Sequence, residues 1–211
     1  MKWHELLQMV VDEPVFRTGF LAASGESLPA LRLQLSRWVK AGKLIQPARG
    51  LYTLAEPYRK VCPHPFVLAN AMKKGSYVSL QSALAHYAMI PEHVPTVTSV
   101  TTQRPQWIET PLGAFAFRRI KKGWFGGCRQ VDLGNRQQAF VATPDKALLD
   151  LVYLTARSDD PGFLAELRLQ NPDRLDLDAL ARLAEASQSP KLRRAAARIA
   201  GWVTEETGAE P

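Results

Sequence analysis

Between Ser27 and Leu54 the spacing of apolar residues changes period once, from that of a helix to that of short strands. Leu28, Leu31, Leu35, Trp38 and Val39 recur at helical spacing, which gathers them on one face and turns Arg32, Gln34, Ser36, Arg37 and Lys40 outward. Ser27 is a natural N-cap, and Pro29 is tolerated in a first turn whose amides have no intrahelical acceptor. Gly42 then ends the helix, with Lys43 beside its negative dipole end. Residues 44–46 and 51–54 read as two strands joined by Pro47, Ala48, Arg49 and Gly50, leaving Arg49 at the tip.

Trp3, Leu6, Leu7, Val10 and Val11 share one face of an expected helix over residues 2–12. Thr18 caps a second helix through Ala23, and Ser24, Gly25 and Glu26 supply the turn into the third. Helix, helix, turn, helix, strand, turn, strand is the outline of a winged helix-turn-helix. In that outline the third helix lies in the major groove of double-stranded DNA and Arg49 reaches phosphate or minor groove. Arg17 and Thr18, at the second helix's N-terminus, are candidate phosphate contacts, with simple capping as the alternative.

Periodicity is lost around Pro57, which divides the chain into a DNA-binding domain, residues 1–58, and a second domain, residues 59–203. In the second, helices are expected over 65–73 and 79–89, the latter capped by Ser79, followed by strands over 96–102, 114–120 and 137–142. Thr143 and Pro144 open a helix that buries Ala147, Leu148, Leu151 and Leu154, with Lys146 and Asp150 paired four apart on its surface. Helices over 162–169, 176–187 and 191–203 complete an α+β fold, and residues 204–211 read as a disordered polar tail. In the last helix Lys191, Arg194 and Arg198 form a basic side, opposite Leu192, Ala195, Ile199 and Trp202.

The 211 residues suffice for two cores, and a formal charge of +7 suits a polyanionic partner. No apolar run has transmembrane length, and Glu5 and Asp12 break the first amphipathic stretch, so a cytoplasmic protein without membrane contact is expected. Cys62 and Cys128 belong to no paired motif, and with His64, His86 and His93 they match no zinc spacing, so neither metal nor cofactor is expected. Arg118, Arg119, Lys121, Lys122, Trp124, Phe125 and Arg129 form a second basic and aromatic cluster. It reads either as an extension of a DNA path or partner surface, or as a solvated strand end with Trp124 in the core. Catalytic patterns are weak. Gly126, Gly127 and Asp132 begin a nucleotidyltransferase-like pattern, but glycine stands at 134 where a second carboxylate is needed. Asp145, Lys146 and Asp150 imitate a nuclease set, yet their helical setting favours capping and surface pairing, so no enzyme is expected.

Three segments, LSRWVKAGKLIQPARGLYTL, SYVSLQSALAHYAMIP and ATPDKALLDLVYL, make the chain resemble the AbiEi-type antitoxin family of transcriptional regulators over most of its length. The resemblance implies an N-terminal winged helix that represses its own operon by binding operator inverted repeats, with Arg32, Gln34, Ser36, Arg37 and Arg49 facing DNA. It also implies a C-terminal antitoxin domain that counteracts a nucleotidyltransferase toxin without a stable complex. The alternatives are a stand-alone DNA-binding regulator and a nucleic-acid-processing enzyme.

Overall fold

The computed structural model describes residues 1–21 and 25–208. The first helix, α1 (Trp3–Val10), is followed by a two-residue strand, β1 (Phe16–Arg17), and by α2 (Thr18–Leu21). The expected continuation of α2 to Ala23 and the turn residue Ser24 lie outside the described residues. Helix α3 (Leu28–Lys40) begins at Ser27, whose hydroxyl accepts from the Ala30 amide at 3.4 Å, with Pro29 in its first turn. It ends before Gly42, whose φ of +69° is the left-handed conformation glycine adopts at no steric cost. Strands β2 (Leu44–Ala48) and β3 (Leu51–Leu54) follow, and β1 pairs with β3 to give an antiparallel sheet of order β1-β3-β2.

Besides β1, which the sequence pattern does not predict, two details differ from expectation. Pro47 lies buried within β2, where the register shifts between Ile45 and Ala48, so the turn itself is only Arg49 and Gly50. Gly50, at φ +70°, supplies its left-handed position. Leu28, expected inside, is 43% exposed because the first residue of α3 projects beyond the core. Leu31, Leu35 and Trp38 are buried with Leu6, Val10, Phe16, Leu21, Leu44, Tyr52 and Leu54, a hydrophobic cluster drawn wholly from the first 58 residues. Trp3 meets Trp38 edge-on at 5.2 Å and Tyr58 at 5.0 Å, closing it.

After the cis Glu56–Pro57 peptide come α4 (Pro65–Met72), β4 (Ser76–Val78), α5 (Leu80–His86), β5 (Thr96–Thr101), β6 (Gln106–Thr110) and β7 (Gly113–Arg119). Then follow β8 (Cys128–Asp132), β9 (Gln138–Ala142), α6 (Pro144–Leu154), α7 (Pro161–Glu166), α8 (Leu177–Ala186) and α9 (Pro190–Thr207). The fold is mixed α+β. The six strands run β6-β7-β5-β4-β9-β8, with β4 antiparallel to β5 but parallel to β9, and β5 parallel to β7. Helix α4 packs on β4 and β9, α5 on β5, and α6 on α5, α8 and α9. Strands β4, β6 and β8 were not anticipated: β4 has only three residues, and β6 and β8 are edges rich in exposed side chains. Helix α9 continues through Thr207, which corrects the expectation of a disordered tail from residue 204.

The second cluster, which includes Tyr77, Val100, Phe115, Phe117, Val141, Leu148, Leu192 and Ile199, shares no buried residue with the first. Val15 packs against it from the N-terminal side, and the Arg17 guanidinium donates to the Ala71 carbonyl near the end of α4. A fragment of residues 1–58 is therefore expected to fold alone with a cooperative urea transition and a stability of about 2–5 kcal/mol, modest because so small a core buries little area. A broad, non-cooperative transition would show that the first cluster needs the second.

Candidate nucleic-acid interface

The outward face of α3 and the β2–β3 turn border a groove of about 610 Å³ lined by Arg17, Thr18, Gly19, Arg32, Ser36, Gln46, Arg49, Gly50 and Tyr52. Among the described residues no carboxylate lines it. Helical spacing sets Arg32 and Ser36 one turn apart on α3, and the two-residue turn holds exposed Arg49 across from them. Arg37 and Lys40 are exposed further along α3, whereas Gln34 is half-buried. None of the ion pairs among the described residues involves Arg32, Arg37, Lys40 or Arg49.

The remaining candidates are engaged elsewhere. Arg17 lines the groove but donates to Ala71, where its charge faces the negative end of α4. Thr18 is nearly buried inside the first turn of α2, with its amide donating to the Gly50 carbonyl at 3.2 Å, so it braces the turn. Lys43 sits 5.0 Å from the Trp3 ring centre, a cation-π contact at the back of α3. Sequence reasoning overlooked Gln46, which projects from β2 and donates to the Tyr52 hydroxyl at 3.2 Å. It also passed over Leu33, 57% exposed beside Arg32, an apolar side chain suited to a thymine methyl group.

In the second half Arg118, Arg119, Lys121 and Lys122 are all exposed, and the last three line a concavity of about 510 Å³ with Thr102, Ile120 and Tyr153. Trp124 is buried, not part of that surface, while Phe125 is 37% exposed. The basic side expected on α9 is largely tied down: Lys191 donates to the Thr155 carbonyl and Arg194 pairs with Asp159 at 2.7 Å. Arg198 is the one of that trio without such a partner among the described residues, and it borders an apolar groove with Leu164, Ile199 and Trp202.

Lys146 and Asp150 overturn the expected surface pair, because both are buried. Asp150 accepts from Lys146, from Ser79 Oγ at 2.8 Å and from Tyr77 Oη at 3.1 Å, and the Lys146 ammonium lies 4.0 Å from the Trp124 ring centre. Ser79 thus serves Asp150 instead of capping α5. Burial pushes the Asp150 carboxyl up, against the pull of Lys146, Ser79 and Tyr77, and pushes the Lys146 ammonium down, against Asp150. Asp145 is also buried, but it accepts from the Asp176 amide at 2.8 Å, so the three imagined nuclease residues do not converge. Asp132 accepts from the Gly134 amide, an Asx turn within the β8–β9 loop. Among the described residues no three His, Cys, Asp or Glu side chains gather to hold a metal. His64 Nδ1 accepts from the Phe66 amide at 3.1 Å to cap α4, and burial pushes its pKa down. Cys62 and Cys128 are free thiols, and no described helix is long and apolar enough to cross a membrane.

No protein-family model matches the chain, and neither does any curated protein.

The buried pair makes a measurable prediction. Lys146→Met leaves Asp150 without its counter-ion and is expected to destabilise by about 3–5 kcal/mol at pH 7, whereas adding Asp150→Leu recovers most of that loss. In Lys146→Met the folded carboxyl stands above its unfolded value of 3.8, so the folded state binds more protons just above that pH. Stability then falls as pH rises through the folded pKa, and the deficit is smaller near pH 4 than at pH 7. Urea unfolding at both pH values checks this. An equal loss at the two, with no recovery in the double variant, contradicts the role given to the pair.

Proposed function

We propose that residues 1–58 are a winged helix-turn-helix that binds double-stranded DNA, with α3 as the reading helix and the β2–β3 hairpin as the wing. The observation that carries this reading is the groove between α3 and the Arg49 turn, lined by Arg17, Arg32 and Arg49 without a carboxylate. Arg32, Gln34, Ser36 and Arg37 meet base edges, and Lys40 and Arg49 meet the backbone. Arg118, Arg119, Lys121 and Lys122 form a secondary surface for the same duplex or for a partner.

The three segments that resemble AbiEi-type regulators support the wider reading. The chain is then a cytoplasmic autorepressor that recognises inverted repeats in its own operator. Residues 59–203 act as an antitoxin domain against a nucleotidyltransferase toxin, and no catalytic step is assigned to the protein.

Fluorescence-anisotropy titrations on the duplex upstream of its own reading frame, with a scrambled duplex beside it, test the DNA reading. Arg32→Ala or Arg37→Ala is expected to cost about 1–3 kcal/mol on the operator and less on the scrambled duplex, as the loss of an arginine-guanine contact does. Arg49→Ala is expected to weaken both alike and to reduce the slope of log affinity against log salt by about 1. Wild-type protein that binds the two duplexes equally overturns operator recognition, and an unchanged slope removes Arg49 from the interface. Co-expression growth assays with a nucleotidyltransferase encoded beside it test the antitoxin half, which fails if residues 59–211 give no protection.

A further inference from the structure

The six-stranded sheet ends in β6, whose outer edge has no neighbouring strand among the described residues. Its register with β7 determines what that edge presents. Thr110 pairs with Gly113 across the two-residue loop Pro111–Leu112, the hydrogen-bonded pair that closes such a hairpin. Hydrogen-bonded and non-hydrogen-bonded pairs alternate, so Gln106, Ile108 and Thr110 direct their backbone groups to β7. Trp107 and Glu109 direct theirs outward. Exposed edges of this kind are usually blunted by charged side chains, lysine above all, by proline or by a bulge. Between Pro105 and Pro111, β6 carries one charge, Glu109, and no lysine, proline or bulge, and its aromatic, Trp107, is 58% exposed.

We infer that β6 is a homodimer interface, pairing antiparallel with β6 of a second copy about a two-fold axis through Ile108. In this register Trp107 and Glu109 of one copy form hydrogen-bonded pairs with Glu109 and Trp107 of the other, supplying four backbone hydrogen bonds. The two Ile108 residues meet at the close, non-hydrogen-bonded position, roughly 4.5 Å apart at Cα. Ile108 already packs against the main core, so the cores of the two copies join across the axis.

Self-complementarity is what selects a second copy. Glu109, the one charged residue of β6, faces Trp107 across the interface, and within one chain the Trp107 indole already donates to the Glu109 carboxylate at 3.0 Å. The Gln106 end of the strand is basic: Lys73 Nζ reaches the Arg104 carbonyl at 2.7 Å and the Gln106 side chain at 3.3 Å, and Arg118 follows Phe117 in β7. The opposite end, Thr110 to Gly113, carries no charge beyond Glu109. Antiparallel pairing therefore sets each basic end beside the acidic or neutral end of the other copy, whereas parallel pairing would stack like charges. Strand β8, the other edge, carries Arg129 on one face and Asp132 on the other and offers no comparable aromatic.

The test uses the full chain in light scattering after size exclusion, loaded at concentrations up to about 100 μM to capture a micromolar dimer. Wild-type protein is expected to approach twice its 23.5 kDa chain mass. Trp107→Glu brings two pairs of glutamates face to face and is expected to raise the dimer dissociation constant at least about tenfold. Adding Glu109→Lys makes both pairs complementary and restores the dimer. Trp107 is exposed, so far-UV circular dichroism of both variants should match wild type. In wild type, amide exchange at Trp107 and Glu109 is expected to slow with concentration. A wild-type chain that stays at monomer mass throughout, a dimer indifferent to Trp107→Glu, or a double variant that stays monomeric would each overturn the proposal. None of these outcomes depends on DNA binding.

Discussion

Removing two opposite charges from water costs several kcal/mol per ion, and the second half of this protein is arranged to offset that cost for Lys146 and Asp150. Asp150 takes donors from α6 itself, from Tyr77 in β4 and from Ser79 just beyond it, while Trp124 and Tyr77 present ring faces to the ammonium. The pair therefore holds the centre of the sheet, the following helix α5 and the turn before β8 in one arrangement with α6. Gly127 shows how closely that turn approaches, since a Cβ there would stand 2.9 Å from Lys146 Cγ. The same turn carries Lys121 and Lys122 on its outer side. One short segment thus covers a buried cation and displays two exposed ones.

The N-terminal half depends on plainer packing. Leu31, Leu35 and Trp38 anchor α3 on the first cluster, and β1 adds a third strand that fixes the hairpin against Phe16 and Arg17. Thr18 then ties the start of α2 to the hairpin tip through Gly50. Because helix and turn are braced to the same strand, the distance across the groove is set by the fold and not by the side chains that line it. Arg17 extends that brace to α4, coupling the groove wall to the second cluster.

Local signals were legible in the sequence. Ser27 accepts from Ala30 and Thr143 from Lys146, each three residues on, and the apolar spacing of α3 reports its buried face, whereas α6 is buried on every side from Pro144 to Val152. Features with distant partners were not. A Lys and Asp four residues apart look the same on a surface as in a core, and only Tyr77, Ser79 and Trp124, all far away in sequence, decide which it is. Lys43, Lys191 and Arg194 are equally basic on paper, but Trp3, Thr155 and Asp159 engage them. Strands β6 and β8 escaped because an edge exposes both faces in part and loses the alternation that marks a half-buried strand.

That difference between free and engaged cations bears on how a polyanion would meet the C-terminal half. The Arg194–Asp159 pair is mostly exposed on the arginine side, so water and salt screen it and breaking it costs little. Yet a phosphate that drew Arg194 away would remove the hydrogen bond that lowers the Asp159 carboxyl and still leave it ionised beside the phosphate, since an ordinary aspartate is ionised at neutral pH. Attraction to the arginine and repulsion from the aspartate then largely cancel at close range. The concavity of Arg119, Lys121 and Lys122 has no carboxylate in its lining, so a phosphate there gains the attraction without that penalty. Local charge balance, not the count of basic residues, therefore favours the strand-end turn over α9 as the place where the second half would attract a polyanion.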